Sequence, residues 1–231
     1  IIFLFGAVLY FVFKTSKISE QNRLWAAMAK ETAHQIGTPL SSMIGWVTLL
    51  QENGKSEALD EMAKDIERLQ IITDRFSKVG SLPELTAADV VSETQKTLQY
   101  LKRRSSDLIE FHSELPNKKI MLPLNTQLFS WTLENLIKNG IDAMRGKGKI
   151  SLMLTEQTHA IHIEISDTGS GIKKEHFKKI FSPGFTSKKR GWGLGLSLAK
   201  RIIVDYHKGK ISVKSSELDK GTTFEIVLKK H

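Results

Sequence analysis

The spacing of apolar residues changes near residue 83, and this change divides the chain into two parts. Up to that point apolar residues recur at steps of three and four, the period of an amphipathic helix. The pattern predicts one helix over residues 17–51 and a second with heptad spacing from Leu59 to Phe76, separated by the turn-forming residues 52–56. Because two helices with one apolar face each bury little surface alone, we expect a homodimeric four-helix bundle.

Helical and alternating segments are mixed after residue 83. They predict helices over residues 88–103, 126–144 and 193–206, and strands over residues 109–114, 119–122, 149–155, 160–166, 210–215 and 223–228. This order is typical of an α/β sandwich in which helices cover one face of a mixed sheet. We therefore predict an α+β protein with a helical domain at residues 14–82 and a sandwich domain at residues 83–231.

Residues 1–13 form an uncharged apolar run that stops at Lys14. Since a membrane-spanning helix needs about 20 such residues, we interpret the run as the end of a transmembrane helix. Lys17 and Arg23 follow against Glu20 alone. This positive-inside pattern places the remainder of the chain in the cytoplasm. The alternatives are the core of a signal peptide and a buried helix of a soluble protein.

Composition excludes some classes of site. The chain has no cysteine, so disulfides, thiolate metal sites and a cysteine nucleophile are ruled out. A net charge of +9 is compatible with nucleic acid, an anionic membrane surface, a nucleotide or an acidic protein partner. Because the lysines are dispersed, a solvated basic surface is favoured and no nucleic-acid partner is expected.

One histidine lies off the apolar seam of the first predicted helix. Ile36 and Leu40 belong to that seam, and His34 is two positions, or about 200° of rotation, away from Ile36. His34 is therefore expected to face solvent, with the hydroxyl of Thr38 one turn further along the same face. A histidine on a helix most often has a structural role. A functional role for His34 therefore needs support from other parts of the sequence.

Three clusters in the second part carry chemistry that suits a nucleotide. Asn135 and Asn139 lie one helical turn apart, where amide oxygens could bind a hard cation such as Mg²⁺ together with phosphate. Asp167 ends an alternating strand and is followed by glycines, at which backbone can approach a flat ligand. A second set of glycines precedes a helix, where N–H groups favour phosphate. These glycines are Gly169 and Gly171, then Gly191, Gly193 and Gly195.

The order of these clusters is more informative than any one of them, since each alone has a common structural explanation. A basic segment over residues 181–190 separates the two glycine sets and could close over a nucleotide as a lid. Neither a dinucleotide fingerprint nor a Walker sequence is present. The three clusters, in this order after a hairpin that carries His34, resemble the sensor histidine kinases of bacterial two-component systems.

The resemblance covers nearly the whole chain after Phe13. The matching motifs are the phosphoacceptor box at residues 34–40, the N box at 135–139, the first glycine box at 167–171, the F box at 177–181, the second glycine box at 191–195 and a closing Gly-Thr-x-Phe signature at 221–224. The family implies a GHKL-type ATP-binding domain, ATP and Mg²⁺ as ligands, and a homodimer. It also implies anchoring in the bacterial inner membrane, with the catalytic portion in the cytoplasm.

The resemblance implies roles for residues of the nucleotide site. Asp167 would accept a hydrogen bond from the adenine amino group, and Asn139 would ligate Mg²⁺ with Asn135 close to the triphosphate. Gly193 and Gly195 would admit the phosphates. Further binding residues would be Gly169, Gly171, Gly191 and Thr222, with Lys188 or Arg190 neutralising phosphate charge.

The resemblance also implies the reaction. Neutral His34 would attack the γ-phosphorus, and the phosphoryl group would pass to an aspartate in the receiver domain of a separate response regulator. Thr38, four positions from His34, would hold a water in line with the regulator's phosphoaspartate for a phosphatase reaction. Gln35 stands where many members carry an acid, and an amide can orient an imidazole but cannot take its proton. We therefore expect a slow but active kinase.

Other functions are compatible with these motifs. Gly37 and Gly140 also depart from the usual motifs, where a basic residue and an alanine are common, and the change at Gly140 looks tolerable. A GHKL ATPase would carry a water-activating glutamate where this chain has Asn135. A degenerate kinase could act mainly as an ATP-binding phosphatase or a dimerisation module.

Overall fold

The computed structural model describes residues 83–186 and 193–230, together with Gly6 and positions 36, 40, 41, 43–51, 59, 60, 62, 63, 66, 69 and 73. The chain divides into two compact units, Ile1–Pro83 and Glu84–His231. Six candidate site residues lie outside the described residues: His34, Gln35, Thr38, Lys188, Arg190 and Gly191. Gly37 lies outside them as well.

The described residues of the first unit between positions 36 and 73 are helical. Leu40, Val47 and Ile66 are buried in one cluster, against which Ile44 and Ala63 pack. The apolar seam expected from the sequence is only partly buried, because two helices can cover one strip of side chains and no more. Several large apolar side chains therefore stay exposed: Ile36, Met43, Trp46, Leu49, Leu50, Met62 and Leu69.

No helix among the described residues is long and apolar enough to cross a membrane. The run of residues 1–13 lies outside those residues apart from Gly6. Its interpretation as the end of a transmembrane helix thus stays a prediction.

The second unit holds the sheet and the helices that cover it. Its strands are β1 (Thr86–Asp89), β2 (Ile109–Glu114), β3 (Met121–Leu124), β4 (Gly148–Glu156), β5 (Ala160–Asp167), β6 (Lys210–Glu217) and β7 (Gly221–Lys229). Its helices are α1 (Val90–Arg104), α2 (Thr126–Ala143) and α3 (Gly195–Arg201), with 3₁₀ turns at Lys174–His176 and Lys179–Phe181. The last residues of the α3 region, Ile202–Tyr206, form a π-helical turn.

The main sheet of the described residues has the order β2-β4-β5-β7-β6. β2 and β4 are parallel and the other neighbours are antiparallel, whereas β1 and β3 form a separate antiparallel pair. The sheet is therefore mixed, as the sequence predicts.

Side chains alternate between the two faces of the sheet. On β5, Ile161, Ile163 and Ile165 are buried, and residues of α1 and α2 belong to the same core. The opposite face is polar: His162 Nδ1 lies 3.1 Å from Glu225 Oε1 on β7. Helices thus cover one face only, and the predicted α/β sandwich and α+β class are confirmed.

Several element boundaries differ from the sequence prediction, and the strand expected over residues 119–122 lies at Met121–Leu124. Ala88 was expected in a helix but lies in β1, because Asp89 ends that strand and caps α1. The Asp89 carboxylate accepts from the N–H of Val91 at 3.2 Å and of Ile120 at 3.0 Å, so it fixes both the helix start and the approach to β3. The helix expected over residues 193–206 is α-helical only from Gly195 to Arg201.

Candidate functional site

Helix α2 supplies the two asparagines that the sequence singles out. Asn125 caps the helix, since its side-chain oxygen accepts from the N–H of Leu128 at 3.0 Å. Leu133, Leu136 and Ile137 face the core. Asn135 and Asn139 are half-buried on the other side of the helix, so part of each residue is open to solvent.

Asp167 ends β5 and is 8% exposed. Its carboxylate accepts from the N–H of Gly169 at 2.8 Å and from the backbone N–H of Thr222. Burial raises the pKa of this carboxyl above its ordinary value, and the two N–H bonds oppose that shift. Because a carboxylate has about four acceptor positions, capacity remains for a further donor.

The backbone of α2 lies directly against Asp167. A Cβ added at Gly140 would be 2.9 Å from Asp167 Cβ and 2.9 Å from Ile150 Cδ1. The change from alanine to glycine is therefore less neutral than the sequence suggests, since the missing methyl group makes room for the Asp167 side chain.

At the other end of the site, α2 meets the start of α3. A Cβ added at Gly195 would lie 2.6 Å from Asn135 Oδ1. Just before it, Gly193 has φ +63°, and its carbonyl accepts from the N–H of Gly184 at 3.1 Å. The structure thus brings together Asn135 and Gly195, the last glycine of the second set.

Along α2, Asn135 and Gly140 are five residues apart, or about 7.5 Å along the helix axis. We call the surface between them the α2 site, formed by Asn135, Asn139, Gly140, Asp167 and Gly195. One end presents a buried carboxylate and the other an amide beside a glycine. This polarity suits a ligand with a flat base at one end and phosphates at the other.

Two glycines of the first glycine set serve protein packing. A Cβ added at Gly169 would lie 2.7 Å from the carbonyl carbon of Ala143, and one at Gly171 would be 2.9 Å from Leu218 Cα. These glycines let the turn after Asp167 lie against the end of α2 and against the β6–β7 turn.

Ser216 is a supporting residue that sequence reasoning missed. Its hydroxyl accepts from the N–H of Ile172 at 2.8 Å and lies 2.9 Å from Thr222 Oγ1. It therefore links the buried Thr222 to Ile172, the residue that follows the first glycine box. No motif marks a serine at this position.

The donor set suits Mg²⁺ held together with phosphates. Among the described residues, no group of three or more His, Cys, Asp or Glu could hold a metal ion. The amide oxygens of Asn135 and Asn139 are hard ligands, and Mg²⁺ usually takes few protein ligands beside substrate phosphates.

Two families match successive parts of the chain. Residues 24–82 match the His Kinase A (phospho-acceptor) domain. Residues 126–231 match the histidine kinase-, DNA gyrase B- and HSP90-like ATPase family.

The similar proteins include sensor kinases. Sporulation kinase D of Bacillus subtilis (strain 168) is 29% identical over 241 residues, covering 97% of this chain and 47% of that kinase. The signal transduction histidine-protein kinase AtoS of Escherichia coli (strain K12) is also 29% identical over 241 residues, covering 96% of this chain and 39% of AtoS. This chain thus spans less than half the length of these two relatives.

A similar solved structure is the nucleotide-free catalytic domain of histidine kinase ThkA. It is 28% identical, with a TM-score of 0.58, over 64% of this chain and 97% of that one. The chain thus matches a phospho-acceptor domain followed by an ATPase-family domain, and its relatives are histidine kinases. The chain belongs to the sensor histidine kinases of bacterial two-component systems.

Proposed function

We propose that this chain binds ATP at the α2 site, phosphorylates His34 and passes the phosphoryl group to an aspartate of a response regulator. The observation that carries the proposal is the two-ended geometry of that site. Asp167 lies against Gly140 at one end, and Asn135 lies against Gly195 at the other.

At the base end, Asp167 accepts a hydrogen bond from the adenine amino group. The N–H groups of Gly169 and Thr222 hold the carboxylate in place for it. At the phosphate end, Asn135 would lie close to the triphosphate, and Asn139, between the two ends of the site, would ligate Mg²⁺. The ion, when bound, would neutralise phosphate charge. Lys188 and Arg190 add positive charge from the basic segment.

In the phosphorylation step, one ring nitrogen of neutral His34 forms a bond to the γ-phosphorus while the bond to the ADP oxygen breaks. The other ring nitrogen carries a proton that becomes more acidic as charge develops. Gln35 orients the ring but leaves that proton to water, since an amide is not a base. We therefore expect slow labelling.

Partners of the whole protein follow from the same proposal. The exposed apolar side chains of the first unit would be buried in a homodimeric four-helix bundle. A ThkA structure was solved in complex with the response regulator protein TrrA, which supports a receiver domain as the partner here. The run of residues 1–13 would anchor the chain in the inner membrane, with the remainder in the cytoplasm.

The decisive experiment is autophosphorylation with γ-labelled ATP on wild type, His34→Ala and Asp167→Asn. Wild type should acquire acid-labile, base-stable label, as a phosphohistidine does, and both variants should lose it. Receiver domains are then added to labelled protein, and the label should move to them. Steady release of phosphate by His34→Ala would instead favour an ATPase.

Thr38 provides a separate test of the phosphatase activity. Thr38→Ala should still become labelled on His34 but should dephosphorylate a phosphorylated receiver domain more slowly than wild type. Equal dephosphorylation rates would exclude this role of Thr38.

A further inference from the structure

Lys138 is the one basic residue of α2, whose residues the structure describes throughout. It follows Asn135 by three positions and directly precedes Asn139, so it borders the accessible side of the helix. Its side chain is 56% exposed. A cation therefore lies beside the two residues expected to face the triphosphate.

The direction of this side chain is set by Glu134. Lys138 Nζ lies 3.4 Å from Glu134 Oε2, one turn towards the start of the helix. Side chains on a helix lean towards its N-terminus, so this pairing follows the natural direction of the lysine. Along the helix axis this pairing places the ammonium level with Asn135, and at 100° per residue Lys138 lies about 60° from Asn135 around the helix.

The two side chains of the Lys138–Glu134 pair differ strongly in their exposed fraction. The side chain of Glu134 is only 10% exposed, so this carboxylate is held in place by its surroundings. Lys96 and Glu93 on α1 form a comparable helical pair at 2.7 Å, but there the lysine is 69% and the glutamate 19% exposed. A buried anion beside an accessible cation keeps the ammonium in one place while leaving part of it open to a ligand.

We propose that Lys138 binds the triphosphate of ATP and that Glu134 is its positioning residue. The inference rests on the proposed function, because it assumes that phosphates lie at the Asn135 end of the α2 site. Lys138 stands on a helix that is packed into the core, so its backbone is held in place before the nucleotide arrives. It thus complements the cations of the basic segment over residues 181–190.

The test is calorimetric binding of Mg-ATP and of adenosine to the full chain. Lys138→Gln should weaken Mg-ATP by about tenfold, the size of one hydrogen bond to a charged group, and leave adenosine binding unchanged. Lys138→Arg should retain most of the ATP affinity. Glu134→Gln should weaken ATP less than Lys138→Gln does, since the lysine is kept but no longer held.

Lys96→Gln is the matched control, because it removes an exposed lysine from a similar pair on α1. The proposal is overturned if Lys138→Gln binds Mg-ATP no more weakly than Lys96→Gln, or if it loses adenosine and ATP equally. Asp167→Asn separates this result from failure of the proposed function. That variant should weaken adenosine and ATP together, and if it weakens neither, the α2 site itself is wrong. Thermal unfolding of each variant checks that the fold is intact.

Discussion

At the scale of single residues, the buried carboxyl group of Asp167 lowers the stability of the fold but provides a group that can bind a ligand. Its burial raises the pKa of the carboxyl above the ordinary 3.8, so the folded state holds this proton more tightly than the unfolded state. Protonation of Asp167 therefore stabilises the folded state. This stabilisation is fully present below pH 3.8 and is lost as the pH rises through the folded-state pKa. A buried carboxylate at neutral pH is thus retained at the expense of stability, as expected of a ligand-binding group.

Asp167→Asn should therefore change stability and affinity in opposite directions. Because asparagine does not titrate, the unfolding free energy of the variant relative to wild type should increase as pH rises from 3.8 to neutrality. ATP affinity should fall by about 1.5 to 3 kcal/mol, the value of a hydrogen bond to a charged group. Denaturant unfolding across pH and calorimetry on nucleotide-free protein measure the two effects. Parallel pH profiles for variant and wild type would contradict this account.

At Gly140, helix propensity and packing against Asp167 have opposite effects on stability. Gly140→Ala should gain about 1 kcal/mol of helix stability, but overpacking in a filled site costs about 1 to 3 kcal/mol. The added methyl group would lie 2.9 Å from Asp167 Cβ, so that side chain must move. We expect weaker ATP binding and a net loss of stability of about 0 to 2 kcal/mol, measured by thermal unfolding. Gly45→Ala is the control, since a Cβ there has no atom within 4 Å, and it should leave ATP binding unchanged.

At the scale of elements, His207 ties the end of the α3 region to the start of α2. Its Nε2 accepts from the N–H of Asn125 at 3.0 Å, and its Nδ1 lies 2.9 Å from the carbonyl oxygen of Ile202. Since Asn125 N is a donor, the ring proton is on Nδ1 and the ring is neutral. The two helices that form the α2 site are therefore joined by one buried side chain.

Acid should weaken this connection. Burial lowers the pKa of His207 below 6.5, so stability present above pH 6.5 should be lost as pH falls from 6.5 towards the folded-state pKa. His207→Phe keeps an aromatic ring beside Phe129 but leaves the Asn125 N–H without its acceptor. It should cost about 1 to 3 kcal/mol at neutral pH and reduce the acid dependence.

The control for this prediction is His159→Gln, because His159 is exposed. Its unfolding free energy should follow the wild-type pH dependence. If His207→Phe also followed it, the titration of His207 would not be the cause.

Most elements could be predicted from the sequence because their apolar residues follow one period. β2 was predicted at its observed bounds, and α2 to within one residue. β1 was missed because its four residues have no alternating apolar pattern of their own. They pair only with β3, whose partner residues lie 32 to 38 positions further along the chain. The π-helical turn was missed because an apolar period does not distinguish it from an α-helix.

Some residues of the candidate site could likewise be predicted from the sequence and others could not. Asn135, Asn139 and Asp167 were predicted because they belong to motifs, and the structure places them around α2. The contact of Gly140 with Asp167 and the part played by Ser216 depend on tertiary packing, which leaves no local signal. His34, Gln35 and Thr38 stay predictions from the sequence.

At the scale of the whole molecule, the exposed apolar strip of the first unit predicts self-association. Met43, Trp46 and Leu50 follow one another at steps of three and four and are 47%, 65% and 49% exposed. Trp46→Glu should shift the chain from dimer to monomer in sedimentation velocity, because a charge would have to be buried in the interface.

Thr48→Glu is the matched control for the dimer. Position 48 is two residues from Trp46, about 200° away around the helix, and its side chain is exposed. This variant should stay dimeric. Dimers of Trp46→Glu at the same concentration would show that the strip is not the interface.

The π-helical turn at Ile202–Tyr206 affects how insertions and deletions are tolerated. Such a turn contains one residue more than an α-helical turn. Removing a single residue there would restore α-helical spacing and rotate His207 by about 100° relative to the preceding helix. Asn125 would then lose its acceptor. A homologue with one residue fewer in this stretch must therefore pair the N–H equivalent to that of Asn125 with a different group. A gap at this place in a sequence alignment marks a change in how α2 and the α3 region are joined.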